Sequence, residues 1–415
     1  MVPVSTPREV SPLSCRRCST LTALVFMVAC GSRLELDQAP VDVITDTESA
    51  TDSDATTDTD ATPDILSPDT DTASLGGTLL VGATLIGAAP EVDGHVASVL
   101  IREGKIVALG EAAEAMAGDA TRVDLGGHFV TPAFIDSHVH VIYWEVADRL
   151  PAGGLAAVVD HAAPEDRFFG RDFGPLRALG SGPMITAPMG YPTTSWGSDG
   201  YGRECDSPEA CAAAVDALAL RGAGLVKLSF GAGPDLSQAT VEAVVAAARR
   251  HELPVSAHAL QDNGARRAAE LGADVLAHVP VQQLSEATIA LWSDRAVVAT
   301  LDAFGGSDTT IDNLRRLREA GALVLYGTDL GNSRTAGIDL GEITLMRESG
   351  MDGSEILASA TRDPAAFWGF EDLGQIAVDK AASLLVLEDD PRLSPETLAR
   401  PVAVWIDGEA LATNP

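Results

Sequence analysis

Apolar residues in the central part of the chain fall into short runs, and each run is followed by a longer segment of helical character. Short apolar runs bounded by turn residues are typical of buried strands. Strands that alternate with helices predict a parallel sheet. After an opening strand that starts at Thr131, the predicted strands are Ala156–Val159, Met184–Ala187, Leu225–Phe230, Pro254–Ala257, Asp274–Ala277, Val297–Leu301 and Leu323–Tyr326.

Serine residues mark the starts of several of the intervening helices. Ser207 precedes Pro208, Ser237 precedes a segment that runs to Arg250, and Ser285 precedes a segment that runs to Trp292. A serine before the first helical turn accepts a hydrogen bond from a free backbone N–H, and proline suits the first helical position. Eight strands, each followed by a helix, predict an α/β protein with a (β/α)8 TIM barrel, whose chemistry lies at the strand C-terminal ends.

The two ends of the folded region contain short β runs separated by turns. Glu103 and Gly104 stand between two such runs, as in a hairpin. We expect residues 75–130 and 372–415 to meet in a small composite β-sandwich, which leaves residues 131–371 for the barrel.

The first 30 residues have the pattern of an export signal. Basic residues including Arg16 and Arg17 precede an apolar run, Leu21–Ala29, that is too short to span a bilayer. The end of this run, Met27-Val-Ala-Cys30-Gly, resembles the lipobox of bacterial lipoproteins. We therefore expect an exported lipoprotein lipidated at Cys30 and anchored in the outer membrane, facing the periplasm or the cell surface. An ordinary secretory signal peptide cleaved nearby is the alternative.

Residues 31–74 are rich in Asp, Thr, Ser and Ala, and no Lys or Arg occurs between Glu35 and Thr72. This composition cannot bury enough apolar surface to offset chain entropy, so we expect a disordered acidic tether. The whole chain of 415 residues has a formal charge of −32. That charge argues against nucleic acid as a partner and leaves the lipid anchor as the only expected membrane contact.

Two of the five cysteines belong to the predicted signal segment and a third is Cys30. The remaining two, Cys205 and Cys211, lie six residues apart in the predicted barrel. In an oxidising compartment they are candidates for a disulfide. A buried pair of free thiols is the alternative.

The opening strand ends in two histidines, His138 and His140. Residues two apart in a strand point to the same face, so both imidazoles would reach one point in space. Two histidines alone are weak evidence for a metal, because a pair of loop histidines has the same pattern. Further ligands at other strand ends would decide between the two interpretations.

Such residues occur at four other predicted strands. Lys227 lies inside an apolar run, where a buried ammonium is costly. His258 and His278 end the next two strands, and Asp329 follows the last one. Taken singly, the histidines have structural interpretations and Asp329 could cap a helix. Together, four histidines, a lysine and an aspartate at the strand ends of one barrel indicate a metal centre.

With these residues the chain resembles the amidohydrolase superfamily, specifically its imidazolonepropionase-like and prolidase-like members with two metals. The resemblance covers about Leu75 to Gly408 and includes a closing strand at 373–387, where Asp379 and Ser383 depart from the family's usual Gly and Asp. The shared motifs are Asp136-x-His138-x-His140, Val226-Lys-Leu228, Ala257-His-Ala259, Ala277-His278 and Gly327-Thr-Asp329.

The resemblance implies two divalent metal ions, with Zn²⁺ as the expected metal. A carboxylated Lys227 would bridge them. His138, His140 and Asp329 would hold one ion, and His258 and His278 the other. A metal-bridging hydroxide would be the nucleophile and Asp329 the proton shuttle. The implied reaction is hydrolysis of an amide-type C–N bond in a small-molecule substrate such as a dipeptide, a cyclic amide or an N-acyl amino acid.

Three further residues are candidate substrate contacts. Tyr191 lies in an aromatic and glycine-rich loop after the third strand, Arg334 follows Asp329 closely, and His161 follows the second strand. An arginine at the site could bind a substrate carboxylate in a bidentate manner. The alternatives are a packed structural loop for Tyr191 and a surface position for Arg334.

Two other functions fit the same residues. The first is a deaminase or decarboxylase on the same metal barrel, although deaminases of the family usually have one metal and would not require Lys227. The second is a lipoprotein that binds a ligand without catalysis, which would have no need of Asp329 as a proton shuttle. A homo-oligomer is a further open possibility.

Overall fold

The computed structural model describes residues 76–412. The predicted export signal, residues 1–30 with Cys30, and the predicted acidic tether, residues 31–74, lie outside the described residues. Every helix between residues 76 and 412 is too short or too polar to cross a lipid bilayer.

The secondary structure of the described region consists mainly of short strands and helices in alternation. The strands are β1 (Thr78–Val81), β2 (Thr84–Leu85), β3 (Val99–Arg102), β4 (Lys105–Leu109), β5 (Thr121–Asp124), β6 (Phe129–Pro132), β7 (Phe134–Val139), β8 (Leu155–Asp160), β9 (Arg177–Gly180), β10 (Met184–Thr186), β11 (Gly202–Glu204), β12 (Val226–Ser229), β13 (Val255–His258), β14 (Val275–Leu276), β15 (Ala296–Val298), β16 (Leu323–Leu325), β17 (Leu384–Leu387), β18 (Ala403–Ile406) and β19 (Glu409–Leu411). The helices are α1 (Gly110–Met116), α2 (Glu165–Phe168), α3 (Pro208–Leu220), α4 (Gln238–Arg250), α5 (Asp262–Glu270), α6 (Glu286–Leu291), α7 (Asp308–Glu319), α8 (Leu340–Glu348), α9 (Gly353–Ala360) and α10 (Arg362–Trp368).

The central strands form two parallel sheets. One has seven strands in the order β11-β10-β12-β13-β14-β15-β16, and the other has three in the order β7-β8-β9. All of their neighbouring pairs are parallel. The predicted α/β architecture with a parallel sheet is therefore confirmed.

The third predicted strand, Met184–Ala187, is present as β10, and a strand that was not predicted, β9, precedes it across residues 181–183. The break between β9 and β10 divides the hydrogen-bonded ladders into two sheets. Gly182 in this gap has φ +67°, and Pro183 has no N–H to donate to a ladder. β9 pairs with β8, while β10 pairs with β11 and β12. The ladders thus do not form one continuous eight-stranded barrel.

Hydrogen bonds nevertheless join the first and last central strands. The Ser137 N–H in β7 donates to the Tyr326 carbonyl at 2.9 Å, just beyond β16. The Asp329 N–H donates to the His138 carbonyl at 2.8 Å, and Val139 forms an isolated parallel bridge with Leu330. These contacts bring the C-terminal ends of β7 and β16 together.

The predicted helix starts are confirmed at three serines. The Ser207 side chain accepts a hydrogen bond from the Ala210 N–H at the start of α3. Ser237 and Ser285 make the equivalent contacts at the starts of α4 and α6. Each bond satisfies one backbone donor that a helix leaves free in its first turn.

Two antiparallel-rich sheets lie outside the parallel strands. The first has the order β4-β3-β1-β5, and the second, β19-β18-β17-β6-β2, combines strands from both ends of the described region. Their shared core contains Leu80, Val130, Leu384 and Trp405. β6 continues through Ala133 into β7, so the outer sheets are connected directly to the strand that carries His138.

Candidate metal centre

His138 and His140 lie at the buried end of β7, with 0% and 4% of their surface exposed. Their Nε2 atoms lie 3.6 Å and 3.2 Å from Asp329 Oδ1. The His140 N–H donates to the Leu330 carbonyl, which holds the end of β7 against the segment that carries Asp329. The predicted histidine pair and the predicted aspartate therefore converge on one point.

Asp329 owes its orientation to an unusual backbone conformation. Its φ is +52°, in the left-handed region that non-glycine residues rarely adopt. The Asp329 carbonyl accepts from the N–H groups of Asn332 and Ser333, and the Asn332 side-chain amide donates to Asp329 Oδ2 at 2.9 Å. With Oδ2 occupied, Oδ1 is the oxygen that faces the histidines.

The atoms at this point fit a metal ion. His138 Nδ1 lies 2.7 Å from the Ala277 carbonyl, which can only accept, so the ring proton is on Nδ1 and Nε2 has a lone pair. His138 Nε2 and Asp329 Oδ1 are both buried and have no hydrogen-bond partner in the described part of the chain. Ligand atoms of His138, His140 and Asp329 lie within 4.8 Å of one another. Imidazole and carboxylate donors in this arrangement suit a divalent transition metal.

Burial favours the neutral form of His138 and His258. Burial, followed by repulsion from neighbouring groups, lowers the pKa of His138 well below its ordinary value. Burial likewise lowers the pKa of His258 to about 3. Neutral imidazole is the form that binds metal ions.

The second predicted group adjoins the first on consecutive parallel strands. Lys227 in β12 is 1% exposed, and burial lowers its pKa to about 7. The rings of His258 and His278 lie 5.0 Å apart, and the His278 ring lies 4.4 Å from that of His138. The structure thus brings all six predicted metal ligands into one buried region.

Asp136 and Thr328 hold the first group of candidate ligands in place. The sequence analysis included both residues in the shared motifs but gave neither of them a role. Asp136 Oδ1 accepts from the N–H groups of His138 and Thr328, and Oδ2 accepts from the Thr328 hydroxyl at 2.6 Å. Burial raises the pKa of Asp136 to about 7. This carboxyl group joins β7 to the segment just before Asp329.

Asp160, at the end of β8, supports the segment after β7 and was not predicted. Its carboxylate accepts from the N–H groups of Val141 and Ala162 at 2.9 Å and 3.0 Å. Burial raises the pKa of Asp160 to about 7. Its position at a strand end, next to a predicted site residue, is the signal that could have identified it.

His161, predicted as a substrate contact, lies beneath the metal ligands. His161 is fully buried and its ring stacks on the His138 ring at 3.9 Å. Its two ring nitrogens lie 2.9 Å from the Ser137 carbonyl and 3.1 Å from Lys227 Nζ. Both polar atoms therefore face protein groups beneath the metal ligands, and the ring has no open side toward a substrate.

Tyr191, by contrast, lies beside the predicted ligands. Its ring stacks on the His258 ring at 4.7 Å, and its hydroxyl accepts from Trp196 Nε1 at 2.8 Å. The Trp196 ring is 5.1 Å from that of His140. Burial raises the pKa of Tyr191 to about 12, so the phenol keeps its proton. The loop after β10 thus places two aromatic rings against ligands from both groups.

Cys205 and Cys211 form a disulfide with a Cα–Cα distance of 5.3 Å. It connects the residue after β11 to the first turn of α3. The loop after β10, which contains Tyr191 and Trp196, is therefore followed by a covalent attachment to α3.

Arg334 is exposed on the segment that follows Asp329. Its guanidinium carbon lies 5.1 Å from the centre of the Trp144 ring. Between residues 76 and 412 it pairs with no carboxylate, unlike many arginines of this acidic chain. The Trp144 N–H donates to the His140 carbonyl. The Trp144 side chain therefore lies between Arg334 and the region of the candidate ligands.

A family comparison agrees with this geometry. The model of the Amidohydrolase family matches residues 129–411. The chain belongs to this family, and it is a metal-dependent hydrolase that acts on C–N bonds. The parallel strands and the convergence of ligands at their C-terminal ends are the features expected of such an enzyme.

Among individual relatives, the chain is similar to imidazolonepropionases. It is 28% identical over 408 residues to that of Polaromonas sp. (strain JS666), covering 81% of this chain and 95% of the relative. It is 27% identical over 346 residues to that of Streptomyces avermitilis, covering 70% and 80%.

Solved structures support the fold. A Xaa-Pro dipeptidase with bound methionine superposes with a TM-score of 0.66 at 21% identity, covering 80% of this chain and 99% of that one. A putative prolidase from Bifidobacterium longum gives 0.67 at 21% identity, covering 80% and 94%. Molinate hydrolase gives 0.67 at 19% identity, covering 81% and 95%.

Proposed function

We propose that the protein is a dinuclear metal hydrolase that cleaves an amide-type C–N bond in a small substrate. The observation that carries this proposal is a pair of buried atoms, His138 Nε2 and Asp329 Oδ1, which are directed at one point and have no hydrogen-bond partner among the described residues. A second set of metal-binding side chains lies immediately beside that point.

His138, His140 and Asp329 would hold one cation, and His258 and His278 the other, with carboxylated Lys227 shared between them. Zn²⁺ suits these nitrogen and oxygen donors. When bound, the cations would lower the pKa of a water molecule and polarise the scissile carbonyl.

Carboxylation of Lys227 requires its neutral amine. The lone pair of Nζ forms a bond to the carbon of CO2, and one N–H proton leaves to solvent, so the product is an anionic carbamate with one remaining N–H. Burial favours the neutral amine, since it lowers the Lys227 pKa to about 7. The carbamate also replaces a buried positive charge with an anionic metal ligand.

Asp329 is suited to move a proton during hydrolysis. Oδ2 is held by Asn332, while Oδ1 accepts no hydrogen bond from residues 76–412. The carboxylate would take a proton from the attacking water and deliver it to the leaving nitrogen. Tyr191 is suited to bind the substrate, because its hydroxyl accepts from Trp196 and its own proton is available for a substrate oxygen.

The substrate class we propose is a dipeptide, a cyclic amide or an N-acyl amino acid. Relatives named imidazolonepropionase and a structural neighbour named Xaa-Pro dipeptidase support this range. Arg334, exposed and without a carboxylate partner in the described region, is the proposed contact for a substrate carboxylate.

We also propose that the parallel strands close into a (β/α)8 barrel and that the two outer sheets form a composite sandwich. The hydrogen bond from Ser137 to Tyr326 and the bridge between Val139 and Leu330 support closure between the first and last strands. The mixed sheet made of β2, β6 and the three C-terminal strands supports the sandwich.

The cellular location is a separate proposal that depends only on the sequence. The segment Met27-Val-Ala-Cys30-Gly supports lipidation of Cys30, and the acidic residues 31–74 would connect the lipid to the enzyme. The variant Cys30→Ser should appear in the soluble fraction of cells. Sedimentation of this variant with membranes in detergent-sensitive form would contradict the lipid anchor.

The experiment that tests the activity uses purified protein reconstituted with Zn²⁺ and bicarbonate. We expect at least one substrate class to yield equal amounts of amine and carboxylic acid, and Asp329→Asn to lose this activity. Release of free ammonia from a ring or of CO2 would instead indicate the deaminase or decarboxylase alternative. Binding of substrates without turnover would indicate a ligand-binding lipoprotein.

A further inference from the structure

His161 is a buried residue to which the mechanism above gives no role. It follows β8, has 0% of its surface exposed and lies between the rings of His138 and Trp368. Its ring therefore has little freedom to move, and its two nitrogens must be satisfied by protein groups.

The contacts of His161 determine its tautomer. Nε2 lies 2.9 Å from the Ser137 carbonyl, which can only accept a hydrogen bond. The ring proton is therefore on Nε2, and Nδ1 is an acceptor. Lys227 Nζ at 3.1 Å and Ser256 Oγ at 3.2 Å are the two groups that can donate to Nδ1.

The Ser137 carbonyl that orients His161 is itself held in place. The Ser137 N–H donates to the Tyr326 carbonyl, and the Ser137 hydroxyl accepts from Trp368 Nε1 at 3.1 Å. His161 Nδ1, the acceptor that faces Lys227, is therefore oriented through Ser137. Ser137 itself lies in the backbone contact between the first and last central strands.

We propose that His161 is a positioning residue that sets the orientation of carboxylated Lys227. This inference rests on the proposed function. A carbamate is planar, as a peptide group is, because its C–N bond has partial double-bond character. Its one remaining N–H would donate to His161 Nδ1, and that bond fixes the plane of the carboxylate. The carbamate oxygens would then be held in one plane, where they could serve as ligands to the cations.

The same geometry explains why an apolar residue would be unfavourable here. Without Nδ1, the buried carbamate N–H would lose its acceptor, and the Ser256 hydroxyl, which lies near the same point, would be the nearest replacement that residues 76–412 show. An unsatisfied buried donor is costly, and the carbamate could rotate about the lysine side chain. The expected result is weaker carboxylation and weaker binding of the cation that depends on it.

The test compares substitutions that retain different nitrogens of the ring, in the full-length protein. His161→Gln can keep a donor to Ser137 but has no acceptor at the Nδ1 position, whereas the Asn side-chain oxygen in His161→Asn can occupy that position. Ser256→Ala is the matched control, since it removes the other donor to Nδ1 and leaves Lys227 as the only one. His161→Met, which has no nitrogen, replaces the Gln variant if that one does not fold.

The measurement is the bicarbonate concentration that gives half-maximal uptake of the second Zn²⁺ ion by the metal-free protein. Carbon-13 NMR of the protein with labelled bicarbonate reports the carbamate itself. We expect this concentration to rise about tenfold in His161→Gln and to change by less than about threefold in His161→Asn and Ser256→Ala. The carbamate resonance should weaken in parallel.

Two results would overturn the inference in distinguishable ways. If wild type requires bicarbonate and His161→Gln requires no more of it, His161 does not position the carbamate. If wild type binds its metals without bicarbonate and shows no carbamate resonance, the proposed dinuclear function fails, and the role of His161 fails with it.

Discussion

The two halves of the site are built differently. In the first half, His138, His140 and Asp329 come from the contact between β7 and the segment after β16, and their ligand atoms already converge. In the second half, Lys227, His258 and His278 come from consecutive strands of one parallel sheet. Only the first half has a carboxylate, while Lys227 Nζ of the second half lies 3.1 Å from His161 Nδ1.

The difference concerns how far each half is prepared by the amino-acid side chains alone. Asp329 is held by a left-handed backbone and Asn332, and His138 by the Ala277 carbonyl, so the first half has its carboxylate and histidines in place before Lys227 reacts. Under the proposed function, the second half would gain an anionic ligand only through carboxylation of Lys227. We therefore expect the first cation to bind without bicarbonate and the second to require it.

The largest effect is expected from Asp329→Asn. The amide keeps the shape of the side chain but cannot carry a proton, so kcat should fall about a thousandfold. Asp379→Asn is a matched control, because Asp379 also has a positive φ, of 70°, but lies in an exposed turn of the outer sheets. Steady-state kinetics with metal analysis would check this, and a loss smaller than about tenfold would remove Asp329 from the proton-transfer role.

Lys227→Met should abolish metal binding in the second half of the site and leave the first half able to bind its cation. Methionine fills the buried volume without an amine that can react, so the protein should bind one Zn²⁺ per chain instead of two. Equilibrium dialysis followed by elemental analysis would measure the ratio. Retention of two ions would show that Lys227 is not part of the centre, whereas loss of both would show that the halves are not independent.

The free energy of unfolding of the metal-free protein should depend on pH because the Lys227 amine is buried. Burial lowers the Lys227 pKa from 10.5 to about 7. Between these values the unfolded chain binds a proton that the folded chain does not, so the free energy of unfolding rises with pH in this window. Below it, both states are protonated and the cost of the buried charge is fully present.

We therefore expect metal-free wild type to gain stability relative to Lys227→Met as pH rises from about 7 to 10.5. The gain should approach about 1.4 kcal/mol per pH unit, the value for one proton. Urea unfolding in chelator and CO2-free buffer would measure it. A difference between the two proteins that is constant with pH would contradict the buried neutral amine.

The smallest effect is expected from Arg334→Gln, beyond the first half of the site. KM for a carboxylate-bearing substrate should rise about tenfold with kcat nearly unchanged, because the lost contact is present in both the bound and the transition state. The same substrate with an amide in place of the carboxylate should be unaffected. Arg400→Gln, at another exposed arginine, is the control, and an equal effect of both substitutions would argue against a specific contact.

The positions of the candidate ligands could be predicted because each one lies in or directly after an apolar run that had to be a buried strand. The positions of Lys227 within β12, His258 at the end of β13 and Asp329 after β16 follow from that pattern and the parallel topology. A polar residue within an apolar run can be identified from the sequence alone. The helix starts at Ser207, Ser237 and Ser285 were predictable for a similar reason, since capping is local.

Other features depend on contacts between distant residues and could not be predicted. β9 begins with Arg177 and is only four residues long, so it lacks the apolar pattern of a buried strand. His161 follows a strand as the ligand histidines do, but its ring faces Lys227 because β8 and β12 place them together. The stacking of Tyr191 on His258 likewise arises from a loop whose path is set by tertiary packing.

The most direct test of the dinuclear centre is a crystal structure of the protein loaded with Zn²⁺ and bicarbonate, with anomalous scattering at the zinc edge. We expect two peaks, one bound by His138, His140 and Asp329 and the other by His258 and His278, with a carboxylated Lys227 between them. A single peak beside an unmodified Lys227 would rule out the dinuclear centre.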